Sequence, residues 1–251
     1  MRDAELAGGH GESGRATASV RAGVADAAAG GQPTIGLRCP AHPVAQALLA
    51  AFKGGRGGIA APSANQFGHV SPTLAAHVRD EFPAGYGGPE ILILEGGPAE
   101  VGIESTIVDL SRLDTVGPVL LRPGAIGPDA IAAVIGTAPA APDAQAPKAS
   151  GTLAAHYAPR TPLQLMPEAR IAARIAADPG ARIAVIASQS YPGAARSVIA
   201  PATPAAYAQS LYALLRELDA GGFDAIVVAQ PPAGRDWDAV SDRLGRAAAA
   251  F

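Results

Sequence analysis

The sequence predicts an α/β protein with two domains. Apolar runs of strand length alternate with segments of helical periodicity along most of the chain, which is the pattern of α/β folds. The segment 137–150, TAPAAPDAQAPKAS, is rich in proline and alanine and lacks an apolar period, so it has the composition of an extended linker. A length of 251 residues fits two ordinary domains on either side of that linker.

Composition limits the function classes. Apolar residues make up 49% of the chain but aromatics only 4%, so the core must be built mainly from Ala, Val, Leu and Ile. The formal charge of −3 creates no overall field that would attract nucleic acid. One cysteine excludes an internal disulfide, and neither a membrane span nor a secretory signal is recognisable. We therefore expect a soluble cytoplasmic protein without a membrane contact.

The first domain begins after a segment with little structural signal. Residues 1–31 are rich in Gly and Ala and have no apolar period, so we expect them to be poorly ordered. Thr34–Arg38 reads as a strand, and Pro43 suits the first position of a helix that the glycines at 54–58 end. A short apolar strand is predicted at 58–61.

The middle of the chain predicts one capped helix and three strands. Ser71 precedes Pro72, which predicts a helix from Pro72 to Phe82 with Ser71 as its cap. A short helix should follow Gly127 and run to Ile135. Buried strands with mixed pairing are predicted at 91–95, 105–110 and 118–122.

The C-terminal part predicts a small three-layer, Rossmann-like domain with a largely parallel sheet, because its strands alternate with helices. The strands are expected at 162–166, 181–188 and 223–230, and the helices at 168–177, 204–220 and 237–249.

Several polar residues lie where strands end or helices begin. Ser63 and Ser71 could donate hydroxyl hydrogen bonds to phosphate oxygens, although ordinary turn and cap roles explain each serine alone. Arg122 follows an apolar strand and could grip a phosphate with two hydrogen bonds, or could simply be a surface arginine at a strand end.

Other candidates are weaker. Arg38 could pair with a substrate carboxylate, and Ser105 could bind an amino acid or merely alternate along a half-buried strand. His77 and Asp80 lie one helical turn apart, but two ligands do not make a metal site. Cys39 has no recognisable base partner, so we expect a small buried apolar residue there. We therefore predict neither a resident metal nor a nucleophilic catalytic residue.

Five segments, in this order, resemble the long, two-domain form of the threonylcarbamoyl-AMP synthase family, whose first domain is YrdC-like. They are GGQPTIGLRCPAHP, APSANQFGHVSPT, ESTIVDLS, LLRPG and SGTLAAHYAPRTPL. The resemblance implies condensation of L-threonine, bicarbonate and ATP into threonylcarbamoyl-AMP and diphosphate. That product is the activated intermediate for t6A modification of tRNA, which a separate tRNA threonylcarbamoyl transferase completes.

The resemblance also assigns site residues. ATP, with Mg²⁺ bridging its phosphates, is implied to contact Thr34, Ser63, Ser71, Arg122 and Tyr157. Threonine is implied to contact Arg38, the backbone of Ala61 and Ser105. Tyr157 belongs to the segment that folds over the nucleotide as a lid in this family. The domain boundaries expected from the resemblance are 32–136 for a partial YrdC-like domain, 137–160 for the linker and lid, and 161–251 for the C-terminal domain.

The chain departs from the family pattern before Thr34. Family members carry a lysine- and arginine-containing segment there that completes the pocket, whereas no lysine precedes Thr34 here. We therefore expect a chain that begins inside the domain, with apolar surface left uncovered and reduced activity of its own. The alternative reading is a noncatalytic module that retains nucleotide affinity or a weak contact with RNA.

Overall fold

The structure is a computed structural model that describes the backbone of residues 4–7 and all of residues 24–84, 86–87 and 91–251. The chain forms two compact units. Unit 1 comprises Met1–Pro62 and Glu104–Thr152, and unit 2 comprises Ser63–Ile103 and Leu153–Phe251. Compactness thus groups segment 63–103 with the C-terminal residues, whereas the domain boundaries expected from the family resemblance follow chain order and stay a prediction.

Unit 1 contains a four-stranded mixed sheet. Its strands are β1 (Ala4–Ala7), β2 (Gly36–Arg38), β3 (Thr106–Asp109) and β4 (Val119–Arg122), in the order β2-β1-β3-β4. β1 is antiparallel to β2 and parallel to β3, and β3 is antiparallel to β4. The predicted mixed sheet is confirmed.

The strand β1 corrects the prediction that residues 1–31 form no packed element. Main-chain hydrogen bonds to two neighbouring strands can hold a segment in a sheet even when it has no apolar period, so the sequence pattern did not indicate this strand. Asp26–Ala29 also form a 3₁₀ turn. The rest of the segment up to residue 23 lies outside the described residues.

The α-helices of the described residues follow local sequence signals. Pro43 is the first residue of its helix, and the ring of His42 accepts a hydrogen bond from the Val44 N–H, which caps that end. Gly127 precedes a helix that runs to Ile135, as predicted. In chain order the helices are α1 (Pro43–Ala51), α2 (Ala75–Glu81), α3 (Leu113–Val116), α4 (Pro128–Ile135), α5 (Ile171–Ala176), α6 (Pro204–Asp219) and α7 (Asp238–Ala248).

The proline-rich segment 137–150 belongs to unit 1 and packs against β3 and β4. Ala140 lies beside β4, where its carbonyl accepts the Leu120 N–H and its own N–H donates to the Pro118 carbonyl. Ala146 and Ala149 cover a small buried cluster of Ile107, Val119 and Leu121. The segment therefore supplies part of the core of unit 1.

Four predicted details of the first domain are wrong. Residues 58–61 and 91–95 form no strand, and Leu92 is 85% exposed, because neither segment finds a neighbouring strand in the described structure. Helix α2 begins at Ala75 instead of Pro72, so Ser71 does not cap it. Cys39 is exposed at the end of β2 and is not the buried apolar residue we expected.

Unit 2 contains a four-stranded parallel sheet, which confirms the prediction for the C-terminal part. The strands are β5 (Leu163–Met166), β6 (Ile183–Ala187), β7 (Arg196–Ile199) and β8 (Ala225–Ala229), in the order β5-β8-β6-β7. Residues of α6 and α7 pack on one face of the sheet, and Ile171 of α5 packs on the other. Only β7 was missed. No helix in the described parts of the chain is long and apolar enough to cross a membrane.

Candidate functional site

In unit 1, the ESTIVDLS and LLRPG motifs meet at Arg122. This residue ends β4 and is 2% exposed. Its Nε donates to the Ser105 carbonyl at 3.0 Å, and its Nη2 lies 3.4 Å from Ser105 Oγ. Its Nη1 donates to the Ser150 carbonyl at 2.8 Å. The planar guanidinium is therefore held between the start of the β3 segment and the end of the proline-rich segment.

The glycine of LLRPG is required by close packing against β3. A Cβ atom at Gly124 would lie 2.4 Å from the Thr106 backbone nitrogen and 2.8 Å from the Ser105 carbonyl carbon. The Thr106 hydroxyl donates to the Ile126 carbonyl at 2.7 Å, which fixes the same loop from its other side. The turn after β4 thus has little freedom relative to Ser105.

The other predicted residues of unit 1 occupy separate positions. Thr34 is half-buried just before β2, Arg38 is exposed at the end of β2, and Ala61 is exposed in a coil segment. The structure brings Ser105 and Arg122 together. Arg38 lies in the same row of the sheet as Arg122, through the register Arg38–Glu5–Ile107–Arg122.

In unit 2, the APSANQFGHVSPT motif forms a tight loop. Asn65 is buried, and its amide donates to the Gln66 carbonyl at 2.9 Å and to the His69 carbonyl at 3.1 Å. Gly68 has a φ of 83°, a conformation that glycine adopts without strain. Ser63 is exposed, whereas Ser71 is 7% exposed.

Glu81, the last residue of α2, holds this loop. Its Oε2 accepts the Gln66 N–H at 2.9 Å and lies 3.1 Å from His69 Nδ1. Its Oε1 accepts Arg216 Nη2 at 2.7 Å. Burial alone would raise the pKa of Glu81, but the hydrogen bonds from Gln66, Arg216 and His69 and the charge of Arg216 outweigh it, so this pKa is lowered. The carboxylate therefore stays ionised and can only accept hydrogen bonds.

His77 lies in the first turn of α2 and contacts the chain just before the helix, although no side chain caps that end. Its Nδ1 accepts the Thr73 N–H at 3.1 Å. Burial lowers the pKa of His77, the charge of Arg216 lowers it further, and Asp80 opposes both. The described residues contain no group of three or more His, Cys, Asp or Glu side chains that could hold a metal ion.

Tyr157 is fixed in the interior of unit 2. It is 2% exposed and has a φ of 60°, which is uncommon for a residue other than glycine. Its ring lies 5.6 Å from the ring of Tyr212 and 5.4 Å from the guanidinium of Arg243. The next residue, Ala158, donates its N–H to the Gly68 carbonyl at 2.9 Å. The segment that contains Tyr157 is thus hydrogen-bonded to the APSANQFGHVSPT loop within the same unit.

Sequence reasoning missed Glu81 and Arg216. Both lie on apolar stripes of their helices: Glu81 follows Val78 at i+3, and Arg216 follows Tyr212 at i+4. A charged residue on an apolar stripe indicates a buried partner, and this signal could have identified both residues, though not their pairing.

Comparisons with known proteins cover nearly the whole chain. A family model described as "Telomere recombination" matches residues 14–124, and one described as "Threonylcarbamoyl-AMP synthase, C-terminal domain" matches residues 126–249. The threonylcarbamoyl-AMP synthase of Pyrococcus abyssi is 35% identical over 211 residues, which are 79% of this chain and 59% of that protein. The Bacillus subtilis enzyme of the same name is 35% identical over 232 residues, 87% of this chain and 64% of that enzyme. The chain therefore spans about three fifths of the length of these curated relatives.

Solved structures agree with the sequence comparisons. The crystal structure of P. abyssi Sua5 complexed with L-threonine has a TM-score of 0.78 at 30% identity, and the match covers 98% of this chain and 70% of that one. A variant of the same protein gives a TM-score of 0.74 at 28% identity, with 98% and 68% coverage. From this likeness in both sequence and fold, the chain belongs to the threonylcarbamoyl-AMP synthase family.

Proposed function

We propose that this chain synthesises L-threonylcarbamoyladenylate from L-threonine, bicarbonate and ATP, with release of diphosphate, as a step in t6A modification of tRNA. The observation that carries the proposal is the likeness to a solved relative that holds L-threonine, at 30% identity over 98% of this chain. The partner that would use the product is a tRNA threonylcarbamoyl transferase.

The reaction requires alignment and charge neutralisation more than a protein nucleophile. The amine of threonine displaces hydroxide from bicarbonate to form a carbamate, with release of water. A carbamate oxygen then attacks the α-phosphate of ATP while diphosphate leaves. Negative charge accumulates on the phosphate oxygens during this step, so hydroxyl and guanidinium donors are suitable groups. In the proposal these donors bind and orient the substrates through hydrogen bonds, and no side chain forms a covalent bond to a substrate.

The proposed contacts are those that the family resemblance implies. Thr34, Ser63, Ser71, Arg122 and Tyr157 would contact ATP, and Arg38, the Ala61 backbone and Ser105 would contact threonine. The contact between Ser105 and Arg122 supports neighbouring positions for the threonine and ATP that these two residues would bind. For Arg122 to bind a phosphate, its hydrogen bond to the Ser150 carbonyl would be exchanged for one to a phosphate oxygen.

Magnesium would enter with ATP. Mg²⁺ prefers oxygen ligands and keeps several waters, so phosphate oxygens can supply most of its coordination. Its role would be to neutralise phosphate charge during attack.

The test is diphosphate release by the purified chain, with the product identified by mass spectrometry. We expect release that requires threonine and bicarbonate together. Arg122→Met should lower kcat/KM by about 10- to 150-fold, the equivalent of about 1.5–3 kcal/mol for a charge-assisted hydrogen bond. Arg196→Met, which removes an exposed arginine of unit 2, is the control. ATP binding without threonine-dependent release would refute the catalytic proposal and support the noncatalytic alternative.

A further inference from the structure

A buried ion pair in unit 2 lies outside the set of predicted site residues. Arg216 of α6 and Glu81 of α2 approach to 2.7 Å, and their side chains are 15% and 7% exposed. Removing either partner would leave the other charge without its counterion in a largely buried site, which is unfavourable. The exposed pair of Arg196 and Glu217, at 54% and 60%, is screened by water and contributes little.

Arg216 also binds the backbone of the motif loop. Its Nη2 donates to the Val70 carbonyl, and its Nε lies 3.4 Å from the Ser71 carbonyl. One rigid guanidinium therefore holds two successive peptide groups at the C-terminal end of the loop. A lysine could not reproduce this geometry, because its single ammonium group lacks the planar fork.

Glu81 holds the other end of the same loop. Its carboxylate accepts the Gln66 N–H and faces His69 Nδ1, and its backbone carbonyl accepts the Gln66 side-chain amide at 3.1 Å. The Arg216–Glu81 pair thus connects residues 66 and 69 to residues 70 and 71. The residue that contacts the Ser71 carbonyl is therefore 145 positions away in sequence.

We propose that Arg216 and Glu81 are positioning residues that pre-organise the 66–71 loop for ATP. The inference rests on the proposed function, in which Ser71 contacts ATP. Neither side chain needs to touch substrate. A loop that is held in its binding geometry loses less entropy on binding, so loss of the pair weakens ATP binding selectively.

The experiment measures KM for ATP, KM for threonine, kcat and thermal stability for the full chain with MgATP, threonine and bicarbonate. Arg216→Met removes the charge and all donors, Arg216→Lys keeps the charge, and Glu81→Gln keeps the shape. Arg196→Met is the matched control, because its arginine pairs with Glu217 beside Arg216. We expect Arg216→Met to raise KM for ATP by about 10- to 100-fold with KM for threonine unchanged. Arg216→Lys and Glu81→Gln should have smaller effects in the same direction, and the control should have none.

A purely structural role predicts a different pattern. It would lower the melting temperature and kcat in proportion to the folded fraction and leave both KM values unchanged, and this result would overturn the proposal. If Arg216→Met does not fold, the same split of KM values in Arg216→Lys and Glu81→Gln decides the question.

The outcome can be separated from that of the proposed function. Should the wild type show no threonine-dependent turnover, the catalytic proposal fails, and calorimetry with MgATP tests the positioning role. Weaker MgATP binding by Arg216→Lys than by the wild type and Arg196→Met would then support it, and equal binding would overturn it. A wild type that binds no MgATP would overturn both proposals.

Discussion

Replacing Gly124 by alanine tests whether the turn after β4 packs as closely against the start of β3 as the structure shows. The added Cβ would lie 2.4 Å from the Thr106 nitrogen and 2.8 Å from the Ser105 carbonyl carbon, whereas ordinary contacts begin at 3.4 Å. Both of these neighbours are backbone atoms, so no side-chain rotation can relieve the overlap. The turn and β3 would have to separate by about 1.0 Å.

The expected loss of stability has two parts. Overpacking by one methyl group in a well-packed region costs about 1–3 kcal/mol. A separation of this size would also weaken hydrogen bonds across the same contact, from Thr106 Oγ1 to the Ile126 carbonyl and from Arg122 Nε to the Ser105 carbonyl. Each of these is worth about 0.5–1.5 kcal/mol when fully formed, so weakening both of them adds about 1 kcal/mol. We therefore expect a total of about 2–4 kcal/mol.

Thermal unfolding followed by circular dichroism measures this effect. A loss of about 2–4 kcal/mol corresponds to a decrease of about 4–16 °C in the melting temperature for a chain of this size. Gly58→Ala is the matched control in unit 1, because an added Cβ there has no atom within 4 Å and its φ lies outside the left-handed range. The control should change stability by less than about 0.5 kcal/mol. Indistinguishable melting temperatures for the two variants would refute the proposed packing of LLRPG against β3.

Three further predictions concern unit 2. The pKa of His77 is lowered by burial and by Arg216, so its neutral form contributes stability above the ordinary histidine pKa, and this contribution is lost as the pH falls through the lowered value. In denaturant titrations between pH 7 and 5, His77→Asn should therefore lose less stability than the wild type. Equal changes of unfolding free energy with pH in the two proteins would contradict this. Asp219→Ala should lower the free energy of unfolding by about 1–3 kcal/mol, because the carboxylate accepts both the N–H and the hydroxyl of buried Thr161, at 2.7 and 2.9 Å. Asp219→Asn should lose less stability. Gly102→Ala should lower the free energy of unfolding by more than about 2 kcal/mol, because Gly102 has a φ of +81° and an added Cβ would lie 2.4 Å from the Ala208 carbonyl oxygen. An unchanged melting temperature would show that this contact is not formed.

Elements that carry their own start and stop signals were predictable from the sequence. Pro43 and Pro204 each begin a helix, as expected for proline at the first position, and Gly127 precedes α4. The buried strands β6 and β8 are continuous apolar runs, which is typical of parallel sheets covered on both faces. In these cases local sequence and tertiary environment favour the same structure.

Strands that depend on a distant partner were predicted less well. The segment ILILE at 91–95 has ideal strand composition, yet it forms no strand and leaves Leu92 exposed. β1 has no apolar pattern, yet it pairs with both β2 and β3. Amino-acid composition indicates which segments can form a strand. A strand forms only where a neighbouring strand offers the matching main-chain hydrogen-bond partners.

The same distinction applies to the candidate site. Motif chemistry proposed Ser63 and Ser71 as candidates, because serine beside proline is common in turns and at helix ends. It could not identify what holds them, since the Arg216–Glu81 pair joins residues 135 positions apart. Moreover, Arg216 contacts the carbonyl oxygen of Ser71, a group common to every residue type, so no substitution pattern at position 71 alone would have revealed the contact. In the sequence, the long side chains that position such a loop are visible only as charged residues on otherwise apolar helix faces, as Glu81 and Arg216 are.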